Sequence, residues 1–203
     1  MAYQSPYQAF IFEDYSFDPE TNIANFHYSF DGQRHFNERI VIPAQQIQSS
    51  NPEALEKTLQ LAFYTASTSY YKAFPTKKVI FKKAQPDSWQ AQFLQKIYTE
   101  GLSQFLFEND LQLSDVATFE AGESEQSVSN YSGDGIIALQ SGGKDSLLLA
   151  TLLEEKDIQY TPWYIQYSQS HPHVLDELKY PLKTVRRSVD IEALKQAQAD
   201  GGL

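Results

Sequence analysis

One six-residue segment, residues 141–146, restricts the fold of this 203-residue chain more than any other part of the sequence. Its sequence is SGGKDS, and it stands between a short apolar run at 136–139 and a leucine-rich run at 147–153. This order predicts a buried strand, a glycine turn and a helix. Two adjacent glycines allow positive φ angles and a close approach of the backbone to a ligand. Because the N–H groups of such a turn and the following helix dipole attract anions, the segment predicts a phosphate-binding turn.

The side chains of the segment add to the predicted phosphate site. Two serines supply hydroxyl donors, and the lysine supplies a mobile positive charge. The aspartate has the wrong sign for a phosphate, which favours a Mg²⁺ ion that bridges the carboxylate, directly or through water, to a polyphosphate. The sequence therefore predicts a nucleotide bound with its metal ion by Ser141, Gly142, Gly143, Lys144, Asp145 and Ser146, with Asp145 as the metal ligand.

Two common nucleotide-binding motifs do not fit this segment. A Walker A loop requires glycine where Ala138 stands and serine or threonine where Asp145 stands. The dinucleotide motif requires separated glycines, whereas Gly142 and Gly143 are adjacent. The segment instead resembles the Ser-Gly-Gly-x-Asp-Ser signature of the PP-loop, or N-type ATP pyrophosphatase, superfamily. That resemblance implies a loop that holds the β- and γ-phosphates of ATP while a substrate is adenylated at the α-phosphate. The alternative is a glycine turn between a strand and a helix with no ligand.

Composition narrows the possible functions. The chain contains no cysteine, which excludes disulfides, thiolate zinc sites and a cysteine nucleophile within it. Superfamily members that transfer sulfur or use a glutaminase cysteine are therefore excluded. The net charge of −10 argues against a broad nucleic-acid-binding surface. The apolar runs are too short to span a membrane, and the N-terminus lacks the regions of a signal peptide, so we expect a cytoplasmic protein without a membrane partner.

The first half of the chain predicts an α+β domain with an antiparallel sheet. Aromatic residues alternate with polar ones over residues 8–43, and Asp31-Gly32 supplies a hairpin turn within that range. Helical spacing follows from residue 51 and again from residue 86. We expect this N-terminal domain to cover residues 1–120, followed by a polar linker rich in glycine and serine over 121–134.

Residues 135–203 predict the start of an α/β PP-loop domain with a parallel sheet. The strand at 136–139, the helix after the glycine turn and a strand at 160–167 form one β-helix-β unit. Two parallel strands are too few for a stable sheet of this kind. We therefore expect a truncated domain; the alternative is a sheet completed by another chain, through self-association or a missing C-terminal segment.

Three residues outside the glycine turn are candidates for catalysis. His171 and His173 follow the strand at 160–167, at the edge of the sheet where parallel sheets bind ligands. Either imidazole can act as a base or a phosphate ligand, and solvated loop histidines are the alternative. Lys72 ends a predicted core helix and carries an amine that can hydrogen-bond a ligand.

Three more residues are candidates for binding substrate or phosphate. Arg186 and Arg187 can neutralise a phosphate or a substrate carboxylate, and a basic helix surface is the alternative. Tyr71 carries a phenol at the end of the same helix as Lys72.

Several passages spread across nearly the whole chain carry a closer family resemblance. They are residues 12–19, 36–43, 69–73, 100–105, 141–146 and 185–190. In this order they resemble the N-terminal part of the UDP-N-acetylmuramoyl-L-alanyl-L-glutamate epimerase family, ATP-dependent enzymes of peptidoglycan precursor synthesis. The family's chain is longer than this one.

The resemblance implies epimerisation of the terminal L-glutamate of a nucleotide-sugar dipeptide. Conversion of the glutamyl carboxylate to an acyl adenylate makes the α-proton more acidic, since the carbanion no longer forms beside a carboxylate charge. A base removes the proton, a proton returns on the opposite face, and hydrolysis releases AMP. In this hypothesis residues 141–146 bind ATP and Mg²⁺, Arg186 or Arg187 binds phosphate or carboxylate, and Lys72 or Tyr71 helps to hold the substrate. The sequence does not identify the base.

Two other functions stay open at this point. One is a different cysteine-free PP-loop adenylating enzyme, such as a ligase that modifies a tRNA base, although the acidic charge disfavours it. The other is a non-catalytic ATP-binding or interaction module, which the small number of parallel strands favours.

Overall fold

The computed structural model describes residues 3–43, 51–122, 134–168 and 170–203. The described residues contain seven strands, named β1 (Ala9–Asp18), β2 (Ile23–Phe30), β3 (Arg34–Val41), β4 (Lys78–Phe81), β5 (Ile137–Gln140), β6 (Thr161–Gln166) and β7 (Lys183–Ser188). They also contain six α-helices, named α1 (Pro52–Ala66), α2 (Thr68–Tyr71), α3 (Ser88–Lys96), α4 (Ser103–Glu108), α5 (Lys144–Glu155) and α6 (Ile191–Ala199). This is an α/β architecture.

All seven strands belong to one mixed sheet with the order β4-β1-β2-β3-β7-β6-β5. β1 pairs with β2 and β2 pairs with β3, in both cases antiparallel, and β4 pairs in parallel with the other side of β1. β5, β6 and β7 are mutually parallel. β3 and β7 pair antiparallel, which connects the two groups of strands. The sequence predicted an antiparallel sheet and a separate parallel one, so the structure differs by joining them.

The predicted hairpin between β2 and β3 is confirmed. Asp31 and Gly32 have φ angles of 52° and 67°, the left-handed conformation that a tight hairpin turn requires. The Asp31 carboxylate also accepts hydrogen bonds from the N–H groups of Gln8 and Ala9, at 2.9 and 2.8 Å. This turn therefore fixes both the β2–β3 register and the start of β1.

The main core is an aromatic layer between β1–β3 and the helices that follow. Phe63 of α1 stacks on Tyr28 of β2 with ring centroids 5.0 Å apart, and Phe12 of β1 contacts it edge-on at 5.6 Å. Helix ends are fixed locally, since Asn51 caps α1 and Asp87 forms a capping box at the start of α3. The predicted helical regions are thus confirmed, and a π-helical turn at Ile97–Gly101 separates α3 from α4.

Helix α5 lies on the opposite face of the sheet from α1. The strand register places Ala138 of β5 on the face turned away from the aromatic core, and Ala138 packs with Ala150 of α5 and Tyr160 in a second, smaller cluster. On the other face of β5, Ile137 and Leu139 are 66% and 64% exposed. The predicted order of strand, glycine turn, helix and strand is confirmed, and it brings residues 141–146 to the carboxyl end of β5. The prediction that this first strand is buried is wrong, because β5 lies at the edge of the described sheet and no described element covers the face that carries Ile137 and Leu139.

Candidate functional site

The segment 141–146 forms a compact turn at the amino end of α5. The Ser141 N–H donates to the hydroxyl of Ser146 at 3.2 Å, and the Gly143 N–H donates to the hydroxyl of Ser141 at 3.3 Å. The Ser146 hydroxyl donates to the Gly143 carbonyl at 3.0 Å, and the two serine hydroxyl oxygens lie 3.3 Å apart. The two serines therefore hold the turn in shape, and both hydroxyls lie where a ligand on the turn can reach them.

Gly142 is required in this turn for two separate reasons. Its φ angle is 77°, a conformation that side chains other than glycine adopt only with strain. A Cβ atom at this position would also lie 2.9 Å from Cβ of Pro172. The segment that follows β6 therefore packs directly on the glycine turn, which the sequence did not reveal.

The amino end of α5 offers polar groups to a ligand. No side chain caps this twelve-residue helix, whose N-cap residue is Gly143. Lys144 and Asp145 are exposed in the first turn, and neither forms an ion pair within the described residues. Free N–H groups, a mobile ammonium and an accessible carboxylate suit a polyphosphate with a divalent cation. In the part of the chain that the structure describes, no group of three or more His, Asp or Glu side chains is placed to hold a metal ion.

His171 and His173 lie in the segment that covers the turn, on either side of Pro172. His171 Nε2 and Asp176 Oδ1 are 2.7 Å apart, and the His171 ring lies edge-on to the Tyr164 ring at 6.3 Å. His173 is fully exposed, with Nδ1 3.5 Å from Asp176 Oδ2. The hydrogen bond from His171 holds the pKa of the Asp176 carboxyl below its usual range. The fold thus brings His171 to the turn with a fixed orientation, whereas His173 has a weaker contact.

The two candidate arginines have different environments. Both lie in strand β7, so the alternative of a basic helix surface is wrong. Arg187 makes a bidentate ion pair with Glu38, whose side chain is fully buried, with Nε–Oε1 and Nη2–Oε2 distances of 2.5 and 3.0 Å. Burial lowers the pKa of the Arg187 guanidinium, but the hydrogen bond and charge of Glu38 outweigh that effect and raise it. The ion pair with Glu38 therefore holds the Arg187 guanidinium within the fold.

Arg186 faces the other side of the sheet. It is exposed and pairs in register with Gln166 of β6, on the face that carries Ala138 and α5. Both arginines line a cleft of about 380 Å³ at the carboxyl ends of β6 and β7, together with Tyr167 and Ser188. Because β5, β6 and β7 are parallel, this cleft and the glycine turn lie at the same edge of the sheet.

Tyr71 and Lys72 lie away from the glycine turn. Tyr71 is completely buried; its hydroxyl donates to the Thr76 carbonyl at 2.7 Å and accepts from the Ala117 N–H at 2.9 Å. The Tyr71 hydroxyl therefore uses its donor and an acceptor position within the fold. Lys72 lies in a cleft between α4 and α6, with Nζ 5.9 Å from the centre of the Phe105 ring. None of the residues that line this cleft belongs to segment 141–146.

Gln140 adjoins the glycine turn and is not among the candidates that the sequence predicted. It is the last residue of β5, directly before the turn, and it is 5% exposed. Neither its Nε2 nor its Oε1 atom has a hydrogen-bond partner in the described structure. The sequence signal was present, since an amide ends the otherwise apolar strand Ile136-Ile137-Ala138-Leu139.

Comparison with known protein families shows the family to which this chain belongs. A family model described as the MurL N-terminal domain matches residues 1–203. The chain belongs to the MurL N-terminal domain family. The match covers the hairpin, the aromatic core and the segment 141–146.

Three curated relatives are named UDP-N-acetyl-alpha-D-muramoyl-L-alanyl-L-glutamate epimerase. The protein from Xanthomonas oryzae pv. oryzae is 28% identical over 156 residues, which is 75% of this chain and 35% of that protein. The Salinispora tropica protein is 29% identical over 192 residues, 90% of this chain and 41% of that protein. The Micromonospora sp. protein is 28% identical over 166 residues, which is 77% of this chain and 37% of that protein. This chain matches about two fifths or less of the relatives' length, and no solved structure gives a significant match.

The division into residues 1–120, 121–134 and 135–203 stays a prediction, because most of 121–134 lies outside the described residues.

Among the helices that the structure describes, none combines the length and the apolar character needed to cross a bilayer.

Proposed function

We propose that this chain is part of an ATP-dependent epimerase that inverts the terminal L-glutamate of UDP-N-acetylmuramoyl-L-alanyl-L-glutamate in peptidoglycan precursor synthesis. The observation that carries the proposal is the uncapped amino end of α5, with its glycine turn at the carboxyl edge of β5, in a chain of the MurL N-terminal domain family. The names of the three relatives support the same reaction.

In this proposal the β5-α5-β6 unit and β7 form the start of a PP-loop domain. The N–H groups at the amino end of α5, the hydroxyls of Ser141 and Ser146, and Lys144 bind the β- and γ-phosphates of ATP. Mg²⁺ neutralises phosphate charge when bound, and Asp145 is its protein ligand, directly or through water. The exposed Asp145 carboxylate, free of ion pairs in the described residues, suits this role.

ATP serves the chemistry by activating the glutamyl carboxylate. A carboxylate oxygen attacks the α-phosphorus, the bond from that phosphorus to the pyrophosphate oxygen breaks, and an acyl adenylate forms. A base then removes the α-proton, which is now more acidic, and a proton returns to the opposite face. Water hydrolyses the mixed anhydride and releases AMP with the D-glutamyl product. In this proposal Arg186 neutralises a phosphate or the substrate carboxylate, and its exposure at the same edge of the sheet as the turn supports that role.

Of the two candidate histidines, His171 suits a role beside the phosphates better. Its ring is oriented by Asp176 and by the Tyr164 ring, and its segment packs on Gly142 through Pro172.

The activity is tested in a full-length protein that contains this region. ATP, Mg²⁺ and the L-glutamyl precursor are supplied together, and the product is hydrolysed for chiral amino-acid analysis. We expect D-glutamate, with one pyrophosphate released per turnover. Absence of D-glutamate, with pyrophosphate still released on other substrates, would instead support a different PP-loop adenylating enzyme.

The metal role of Asp145 is tested by calorimetric titration of the chain with ATP and Mg²⁺. Asp145→Asn should weaken the Mg²⁺-dependent part of ATP binding by roughly tenfold, the effect of about one charge-assisted contact. Glu155→Gln is the matched control, because it removes the same charge at the other end of α5. Equal effects of the two substitutions would refute the assignment.

A further inference from the structure

The buried amide of Gln140 is the one side-chain amide in the described structure whose nitrogen and oxygen are both buried without a hydrogen-bond partner. A buried amide in this condition destabilises the folded chain, because each group has lost its water without gaining another partner. Such groups are rare in folded proteins and call for a specific explanation. The position of Gln140, directly before Ser141, associates this unmet hydrogen-bonding capacity with the glycine turn.

The strand register places Gln140 among the residues of the site. Gln140 is the register partner of Tyr164 on β6, so both side chains lie on the face that carries α5. The Tyr164 ring contacts the ring of His171, and the next residue, Pro172, packs on Gly142. Gln140 therefore lies on the side of the sheet where the turn and the segment after β6 meet.

The chemistry of the amide selects one part of a nucleotide. Nε2 donates hydrogen bonds and Oε1 accepts them, so a single ligand satisfies both atoms when it offers an acceptor and a donor. The phosphates of ATP at neutral pH offer acceptors alone and would leave Oε1 unpaired beside negative charge. A nucleoside offers both, either through ribose hydroxyls or through the adenine edge with its amino group and ring nitrogen.

We propose that Gln140 binds the nucleoside part of the nucleotide, while residues 141–146 bind its phosphates. This inference rests on the proposed function, because it requires that a nucleotide occupy the turn. It adds a residue that determines ligand specificity: the turn binds any polyphosphate, and Gln140 distinguishes a nucleoside triphosphate from its phosphate chain.

The test compares two ligands by calorimetric titration of the 203-residue chain in the presence of Mg²⁺. ATP contains the nucleoside, whereas inorganic tripolyphosphate presents the phosphate chain alone. Gln140→Leu removes both hydrogen-bonding groups with little change in volume. We expect this variant to bind ATP roughly tenfold more weakly or worse, and to bind tripolyphosphate within about twofold of the wild-type affinity.

A folding defect is separable from a binding defect. Since Gln140→Leu removes an unpaired buried amide, the melting temperature of the free variant should stay equal to that of the wild type or rise. Gln140→Glu keeps the shape of the side chain but places a carboxylate near the phosphates, so it should weaken the binding of both ATP and tripolyphosphate. 2′-Deoxy-ATP and inosine triphosphate then identify the contact: the wild-type preference for ATP over one of them should disappear in Gln140→Leu.

Failure of this inference can be distinguished from failure of the proposed function. Equal ATP affinity in wild type and Gln140→Leu, or equal losses for ATP and tripolyphosphate, overturns the role of Gln140 and leaves phosphate binding intact. If the wild-type chain binds neither ligand, or if Gly142→Ala changes neither affinity, phosphate binding by the turn is refuted, and the role of Gln140 is refuted with it.

Discussion

Replacement of Arg187 by methionine should destabilise the fold, because it leaves a buried carboxylate without its partner. The Glu38 side chain is fully buried, and the Arg187 guanidinium supplies two hydrogen bonds to it. The same guanidinium donates to the Ser69 hydroxyl at 3.0 Å. Methionine preserves most of the side-chain volume and none of these hydrogen bonds. Arg187→Met therefore removes the charge with little loss of packing.

The expected cost is about 3 kcal/mol in the free energy of unfolding. Breaking a buried ion pair by removing one partner costs about 3–5 kcal/mol. The lower value applies because Arg187 keeps 19% of its side-chain exposure, which lets water reach part of the site. The location adds a specific consequence, since β3 and β7 are joined by only three register pairs and Arg187 belongs to one of them.

The assay is urea unfolding of the 203-residue chain, followed by the fluorescence of its two tryptophans, Trp89 and Trp163, and by circular dichroism. Arg186→Met is the matched control, because Arg186 is the exposed neighbour and its loss should cost at most about 0.5 kcal/mol. The double variant Glu38→Leu/Arg187→Met should recover most of the lost stability, since no buried charge remains. A cost below about 1 kcal/mol for Arg187→Met, or equal costs for the two arginines, would refute the structural role assigned to Arg187.

Three further predictions concern the core, the glycine turn and acid stability. Phe63→Ala should lower the free energy of unfolding by about 3–5 kcal/mol, because Phe63 is 1% exposed, while Leu139→Ala, at an exposed position, should cost about 0.5 kcal/mol or less in the same urea assay. Gly142→Ala should lower both the melting temperature and tripolyphosphate affinity more than Gly135→Ala, since both glycines have positive φ but only Gly142 lies against another segment; equal effects would contradict this. The hydrogen bond from its arginine partner on β3 lowers the pKa of Asp200, so its contribution to stability should be complete above about pH 5 and decline as the pH falls below about 4. Asp200→Asn should therefore lower the melting temperature at pH 7 and match the wild type near pH 2, and a difference that grows in acid would contradict the sign.

The sequence by itself determined the local elements of this protein. The aromatic alternation before and after Asp31-Gly32 predicted the hairpin, and the helical spacing from residues 51 and 86 predicted two helical regions. The order of apolar strand, glycine turn and leucine-rich helix predicted β5, the turn at 141–146 and α5. These features depend on side-chain periodicity and backbone preference within about fifteen residues, which a single sequence contains. Family membership was also predictable, because passages along the whole chain carried it.

Only the tertiary structure decided how these elements are joined and which candidate residues are free to act. β7 has no periodicity that distinguishes it from a basic surface helix, and it becomes a strand by pairing with β3 and β6, whose sequences lie far from it in the chain. The same long-range pairing buries Glu38, which engages Arg187 and leaves Arg186 exposed. The burial of Tyr71 and the unpaired amide of Gln140 likewise depend on which distant residues surround them. The physical reason is common to all of these cases: burial and hydrogen-bond satisfaction are set by contacts between distant segments, whereas motif and periodicity are properties of adjacent residues.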